Sequence, residues 1–89
     1  QQAPAAQQLQ HIIQQQPDNL EARYQLSAVH LVADQYTQAM DQLLEIIVRN
    51  RNYASDVAVK GMVTLLNMVS DDEALTRTYR QKMMDALNR

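Results

Sequence analysis

The sequence has no cysteine, no tryptophan and no phenylalanine, and it has only one glycine and two prolines among 89 residues. Without cysteine, the chain cannot form a disulfide, a thiolate metal site or a cysteine nucleophile. The scarcity of glycine and proline leaves little material for the tight turns that a β-rich domain needs. Apolar residues still make up 46% of the chain, which is typical of a globular protein and argues against disorder. The composition predicts a single small all-α domain over residues 1–89, with short loops.

Charge is also sparse, and the two halves of the chain differ in sign. Residues 1–48 carry one basic and five acidic side chains, whereas residues 49–89 carry seven basic and five acidic ones. Nucleic-acid-binding proteins concentrate much more positive charge on one face, so we expect no nucleic-acid partner. No apolar run approaches the roughly 18 residues that a membrane span requires, so we expect no membrane partner either.

Residues that could carry chemistry are scattered. His11 and His30 fall in different predicted helices, whereas a metal site shows clustered ligands. The acidic run 71–73 is explained by the start of a helix, where carboxylates are favoured. Neither Ser27 nor Ser70 is part of a sequence pattern that indicates a catalytic triad with a histidine. We therefore expect no enzymatic activity, no cofactor and no metal site.

Apolar residues recur at helical spacing in five segments. The predicted helices cover residues 4–16, 19–33, 36–50, 53–69 and 72–88. Pro17 ends the first helix, because the residue before a proline disfavours the α conformation, and Asp18 or Asn19 can cap the second. Ser70 and Glu73 have the spacing of a capping box for the last. Because the loops are short, neighbouring helices are expected to be antiparallel.

The second and third segments resemble a tetratricopeptide repeat (TPR), a unit of about 34 residues folded as two antiparallel helices. If Leu20 is the first position of the unit, Leu26 lies where the repeat has a large apolar residue in its first helix, and Ser27 lies where it has a small one. Ala39 and Leu43 then take the matching positions of its second helix. The resemblance implies an all-α, right-handed superhelix of about five antiparallel helices.

The rest of the chain follows the repeat less closely. The first segment has the phase of the second half of a preceding unit, and the last pair of helices fits only if about two residues are inserted before Asp56. Arg23 replaces a bulky residue of the pattern, and Arg51 replaces its proline. Gly61 lies in the middle of a predicted helix, which suggests the close approach of another backbone. We expect half a unit, one good unit and one divergent unit.

In TPR proteins, the first helices of the units line a concave surface. The resemblance assigns to that surface Glu21, Tyr24, Ala28, Leu31 and Val32. One charge among five residues suits an apolar or mixed peptide. TPR co-chaperones that grip a carboxylate use lysine and asparagine where this chain has Tyr24 and Ala28, so we expect no clamp for an acidic C-terminal tail. The alternative is that the fifth helix folds back and fills the groove with its own apolar face.

The last predicted helix carries Arg77, Arg80 and Lys82. These cations form either a basic strip that faces a partner or an ordinary solvated face. Because so few units make only a short groove, the sequence favours docking through a compact surface, with this last helix as the preferred place.

The stretch from Asp72 to Met83, with its Tyr79-Arg80 element, resembles the end of the YbbN/CnoX-type chaperedoxins. These bacterial proteins have a thioredoxin-like domain followed by TPR-like helices, and the likeness extends over nearly the whole chain. It implies the C-terminal fragment of a longer thioredoxin-like protein, whose N-terminal part would hold any redox cysteines. It further implies a cytoplasmic co-chaperone or holdase that docks a GroEL-type chaperonin or unfolded clients. The alternative is a generic TPR scaffold or dimerisation domain with one specific protein partner.

Overall fold

The computed structural model describes residues 6–89, which fold into five α-helices and, within that range, no strand. The helices are α1 Ala6–Gln15, α2 Leu20–Val32, α3 Tyr36–Asn50, α4 Tyr53–Met68 and α5 Glu73–Leu87. The predicted all-α class is confirmed. The predicted bounds agree to within one residue, except for the start of the first helix at residue 4, which lies outside the described residues. None of the described helices combines the length and the apolar character that crossing a membrane demands.

Asparagine and aspartate side chains cap two of the helices. The Asn19 side chain accepts a hydrogen bond from the Ala22 backbone N–H at 2.9 Å, so α2 begins as the sequence indicates. At α5, the Asp72 carboxylate accepts from the Leu75 N–H at 3.0 Å. The predicted capping box that starts at Ser70 is therefore wrong. Asp72 is as good a cap as serine, and its negative charge is also stabilised by the helix dipole.

The segment Tyr53–Met68 opens with three left-handed residues. Ala54, Ser55 and Asp56 have φ values of 49°, 60° and 65°, and the right-handed helix follows them. This is the place where the repeat pattern requires an insertion. The left-handed turn accommodates the extra residues, so that Ala58 and Met62 of the right-handed part face the core. Both side chains are buried.

The packing places α3 at the centre of the molecule. α2 packs against α1 and α3, and α3 also packs against α4 and α5. The larger core cluster joins α3, α4 and α5 through Ala39, Met40, Leu43, Ile46, Ile47, Ala58, Met62, Leu65, Leu66, Tyr79 and Ala86. A smaller cluster of Leu9, Ala22 and Leu26 joins α1 to α2. α2 and α4 lie on the same side of α3, since the Tyr53 hydroxyl at the start of α4 bonds Glu21 at the start of α2.

Both departures from the TPR pattern are arginines that donate to backbone carbonyls. Arg23 is buried, with Nε donating to the Pro17 carbonyl at 2.9 Å and Nη1 to the Gln42 side-chain oxygen at 3.0 Å. Arg51 donates from Nη1 to the Leu87 carbonyl at 3.0 Å, at the end of α5. Each arginine thus joins two elements by hydrogen bonds where the usual repeat uses apolar packing or a proline.

A side-chain hydrogen bond attaches α5 to α3. The Tyr79 hydroxyl donates to Asp41 Oδ1 at 2.8 Å, and the tyrosine is only 8% exposed. Burial, reinforced by the hydrogen bond to Asp41, raises the pKa of Tyr79 to about 12. The Lys82 ammonium lies 4.9 Å from the centre of the Tyr79 ring, within cation–π range. These contacts fix the face of α5 that is turned towards α3.

Candidate protein-binding groove

An open groove lies between α2 and α4, with α3 as its floor. Its lining residues are Tyr24, Ser27, Ala28, Leu31, Leu43, Gly61, Thr64 and Leu65. The cavity volume is about 180 Å³, and no charged side chain is among these lining residues. We call this feature the α2–α4 groove. Its shape and chemistry suit apolar side chains of a protein ligand.

Gly61 determines how the floor of the groove is built. A Cβ atom at this position would lie 3.0 Å from Leu43 Cδ1, closer than ordinary van der Waals contact. The glycine therefore lets the Leu43 side chain lie against α4 at the bottom of the groove. The predicted close approach is present, but the neighbour is a side chain rather than a backbone.

A hydrogen-bonded carboxylate marks one end of the groove. The Tyr53 hydroxyl donates to Glu21 Oε1 at 2.8 Å, and Gln25 Nε2 donates to Glu21 Oε2 at 2.9 Å. The bonds from Gln25 and Tyr53 lower the pKa of Glu21. The same bond, together with partial burial of the phenol, raises the pKa of Tyr53. Glu21 is thus a stable anion beside two phenols, and the Tyr53 bond ties the N-terminal end of α2 to that of α4.

The predicted site residues fall on two separate surfaces. Tyr24, Ala28 and Leu31 line the groove, as the repeat pattern predicts, and Glu21 lies at its end. Val32 is 86% exposed at the last position of α2 and is outside the lining.

The arginines of α5 lie elsewhere. Arg77 and Arg80 share a depression of about 360 Å³ with Ser70, Glu73 and Thr76. Lys82 is not part of that depression, because it lies over the Tyr79 ring and lines a different cavity between α3 and α5. The three cations therefore do not form one continuous strip.

The hypothesis that the fifth helix fills the groove is wrong. Within the described chain, the groove is lined by α2, α3 and α4 alone, and α5 packs against α3 and α4. α5 is held on α3, away from this opening, by the buried Tyr79 and Ala86 of the larger core cluster and by the Tyr79–Asp41 hydrogen bond. The face of α2 that carries Tyr24, Ala28 and Leu31 is therefore not covered by α5.

Sequence reasoning missed the groove residues outside α2. Leu43 forms the floor, and Gly61, Thr64 and Leu65 form the opposite wall. The repeat pattern assigns certain positions of each unit to the concave surface. In the divergent unit, with its shifted register, one of these positions is Thr64, so the pattern could have predicted this residue. Gly61 and Leu65 fall between those positions. They line the groove because of the way in which α4 packs against α3.

A larger depression, of about 500 Å³, lies between α3 and α5. Its lining includes Asp41, Glu45, Lys82, Asp85 and Arg89, with both signs of charge. Placing an apolar segment there would remove water from several charged groups, which is costly. The smaller, uncharged α2–α4 groove is therefore the better site for apolar side chains.

The histidines and acidic residues do not form a metal centre in the described range. His30 is buried, and its Nδ1 lies 2.7 Å from Gln35 Oε1. Among residues 6–89 there is no group of three or more histidine, aspartate or glutamate side chains placed to hold a metal ion. The groove offers contact surface, and its Ser27 and Thr64 hydroxyls donate to the backbone carbonyls of Tyr24 and Lys60.

Comparison with known proteins agrees with this architecture. A sequence model of the tetratricopeptide repeat family matches residues 1–88. Searches of curated proteins and of solved structures give no match. TPR domains are protein–protein interaction modules, and repeats of this kind are typically non-catalytic. Since the match covers nearly the whole sequence, the chain belongs to the tetratricopeptide repeat family.

Proposed function

We propose that this chain is the client- or chaperonin-binding module of a cytoplasmic, thioredoxin-like co-chaperone, and that it binds through the α2–α4 groove. The observation that carries the proposal is the open, uncharged lining of that groove, with Tyr24, Ala28 and Leu31 on one wall and Leu65 on the other. The likeness of the C-terminal stretch to chaperedoxins supports the choice of partner. The rest of such a protein would be supplied by a thioredoxin-like domain on the N-terminal side.

The size of the groove favours a protein ligand over a small molecule. Pockets for drug-sized ligands enclose about 300–1,000 Å³, whereas this groove holds about 180 Å³. That space suits one or two side chains of a longer segment. An unfolded client or a flexible chaperonin segment presents such side chains without needing a complete folded surface.

The ends of the groove differ, which gives a bound segment a direction. The Tyr53–Glu21 bond lies at the N-terminal ends of α2 and α4. Towards the other end of these helices stand two exposed apolar side chains, with Val32 at 86% and Met68 at 55% exposure. We expect the ligand to extend from the groove over this apolar end.

Filling the groove provides the test. Ala28 is exposed on the groove wall, so Ala28→Trp should block the groove without disturbing the core. The affinity for a fluorescently labelled, leucine-containing octapeptide, and for a purified GroEL-type chaperonin, should fall about tenfold or more, as for the loss of a binding hot spot. Fluorescence anisotropy measures the first and surface plasmon resonance the second.

Matched variants locate the binding surface. Ala74→Trp adds the same bulk at an exposed position of α5 and should leave the affinities unchanged. If Ala28→Trp binds as well as the wild type, docking through the groove is wrong. If instead Arg77→Ala with Arg80→Ala abolishes chaperonin binding, the docking surface lies on α5, where the sequence analysis placed it.

A further inference from the structure

We infer that the segment bound in the α2–α4 groove carries a basic side chain next to its apolar residues, and that this side chain is bound by Glu21, Tyr24 and Tyr53. The inference rests on the proposed function of the groove and specifies the chemistry of its ligand. The three residues lie together at the N-terminal end of the groove, and we call them the acidic end.

The first argument is the spare capacity of the Glu21 carboxylate. A carboxylate has about four acceptor positions, and the bonds from Tyr53 and Gln25 use two of them. Glu21 is exposed, and its lowered pKa keeps it ionised at neutral pH. The remaining lone pairs can accept from the ammonium or guanidinium group of a ligand.

The second argument is the pair of aromatic rings beside the carboxylate. Tyr53 is hydrogen-bonded to Glu21, and Tyr24 follows Glu21 by three residues on the same helix, which places it on the same side of α2. Tyr24 also forms part of the groove wall and is 37% exposed. A cation over an exposed tyrosine ring is attracted by the ring electrons, so the acidic end offers a carboxylate and two rings to one cationic side chain.

The third argument is the charge of the two groove helices. Glu21 is an acid in the first turn of α2, where it offsets the positive end of the helix dipole. The cation of α2, Arg23, is buried and bonded to Pro17 and Gln42. Lys60 is the cation of α4, and it is outside the groove lining. At the acidic end, the Glu21 carboxylate therefore attracts a basic side chain of the ligand and disfavours an acidic one.

The spacing along α2 fixes the pattern of the ligand. Glu21 and Ala28 are separated by seven residues, or about 10 Å along a helix that rises ~1.5 Å per residue. An extended peptide covers that distance in about three residues, at ~3.3 Å each. The preferred ligand has a lysine or arginine about three positions from a leucine-type residue.

Three labelled octapeptides test the inference. Each contains two leucines and, three positions from one of them, a lysine, a glutamine or a glutamate. Each is made in two versions, with this residue on the N-terminal or on the C-terminal side of the leucines. In low salt, the lysine peptide should bind about threefold to tenfold more tightly than the glutamate peptide, as expected for an exposed charge pair with a cation–π contact. The difference should shrink near 1 M salt, where charges are screened beyond about 3 Å.

Two charge-removing variants form a matched pair. Glu21→Gln keeps an oxygen for Tyr53 to bond and removes the charge, and it should abolish the preference for lysine. Asp85→Asn is the control, because Asp85 also accepts from a glutamine one turn away, Gln81, but lies on α5. This variant should keep the full preference for lysine.

The outcomes separate this inference from the proposed function. If all three peptides bind equally and Ala28→Trp still abolishes binding, the groove is the site and the acidic end has no role. If the lysine preference persists in Glu21→Gln, the carboxylate is not its origin and the inference is overturned. If Ala28→Trp leaves the binding of every peptide unchanged, both the inference and the groove as the binding site fail.

Discussion

Arg23 shows how a single residue can depart from a repeat pattern and still support the fold. The TPR pattern calls for a bulky apolar residue at this place, and an arginine in its stead looks like a defect in the sequence. In the structure, its stem is buried and its guanidinium bonds the Pro17 carbonyl and the Gln42 side chain. Burial lowers the pKa of Arg23, but the group stays charged because the pKa of arginine is so high.

Arg23→Ala should therefore destabilise the protein by about 2–3 kcal/mol, because it removes two charge-assisted hydrogen bonds and leaves a void where the buried stem was. Urea unfolding followed by circular dichroism measures the change. Arg77→Ala removes an exposed arginine and should stay within about 0.5 kcal/mol of the wild type. Equal stabilities of the two variants would show that the Arg23 contacts contribute nothing.

Tyr79 predicts how stability depends on alkaline pH. Its pKa is about 12 in the folded protein and about 10 in an unfolded chain, so the folded state holds this proton more tightly. The resulting stability is complete below pH ~10 and is lost as the pH rises towards 12. Tyr79→Phe should cost about 1 kcal/mol at neutral pH and should make the decline between pH 10 and 12 shallower.

The control for this experiment is Tyr36→Phe. The Tyr36 hydroxyl is exposed and forms only a long bond of 3.3 Å to Asp34, so this variant should keep most of the alkaline decline. Unfolding free energies measured across the pH range test both variants. The interpretation of Tyr79 would be wrong if Tyr79→Phe followed the wild-type curve at every pH.

At the scale of the elements, the irregular start of α4 explains why the second unit diverges from the repeat. The pattern indicates extra residues before Asp56, but a linear sequence cannot say what shape they take. The structure places three left-handed residues there, each costing roughly 1–2 kcal/mol when the residue is not glycine. The turn resets the helical phase, which returns Met62 and Leu66 to the core.

Ala54→Gly should consequently stabilise the protein by about 1 kcal/mol, because glycine adopts positive φ without steric cost. The same change at the exposed Ala74, in the first turn of the regular helix α5, should destabilise it by about 0.5 kcal/mol. Thermal unfolding of the two variants gives the comparison. Destabilisation by both would show that Ala54 belongs to an ordinary right-handed helix.

At the scale of the whole molecule, the groove exists because α3 holds α2 and α4 apart while α5 packs elsewhere. Gly61 tests how stability and binding are coupled across this arrangement. Replacing it with alanine favours the helix by about 1 kcal/mol, but the new Cβ meets Leu43 Cδ1 at 3.0 Å. Leu43 has open space on its groove side, so we expect it to shift there.

Gly61→Ala should accordingly change the unfolding free energy by less than about 1 kcal/mol. The higher helix propensity of alanine stabilises the protein, and the crowding of the new Cβ against Leu43 offsets this. Its affinity for the leucine peptides should nevertheless drop several-fold, because the shifted Leu43 occupies the floor of the groove. Calorimetry of unfolding and anisotropy of peptide binding separate the two effects. Unchanged peptide affinity in a stably folded variant would contradict this picture of the groove floor.

The sequence by itself determined the helices, their bounds and the repeat phase. Helical periodicity, Pro17 and the Asn19 cap act over a few residues, so a local pattern suffices to reveal them. The phase of α2 also placed Tyr24, Ala28 and Leu31 on the groove wall before any packing was known.

Only the tertiary structure decided which surfaces are open. Whether α5 covers the groove depends on how it packs against α3, where apolar contacts and the hydrogen bond between Tyr79 and Asp41 join residues far apart in the chain. The opposite wall depends on Gly61 meeting Leu43, and the acidic end on Tyr53 meeting Glu21 across 32 residues. Such contacts depend on how whole helices pack against one another, and the spacing of residues along one helix does not determine that packing.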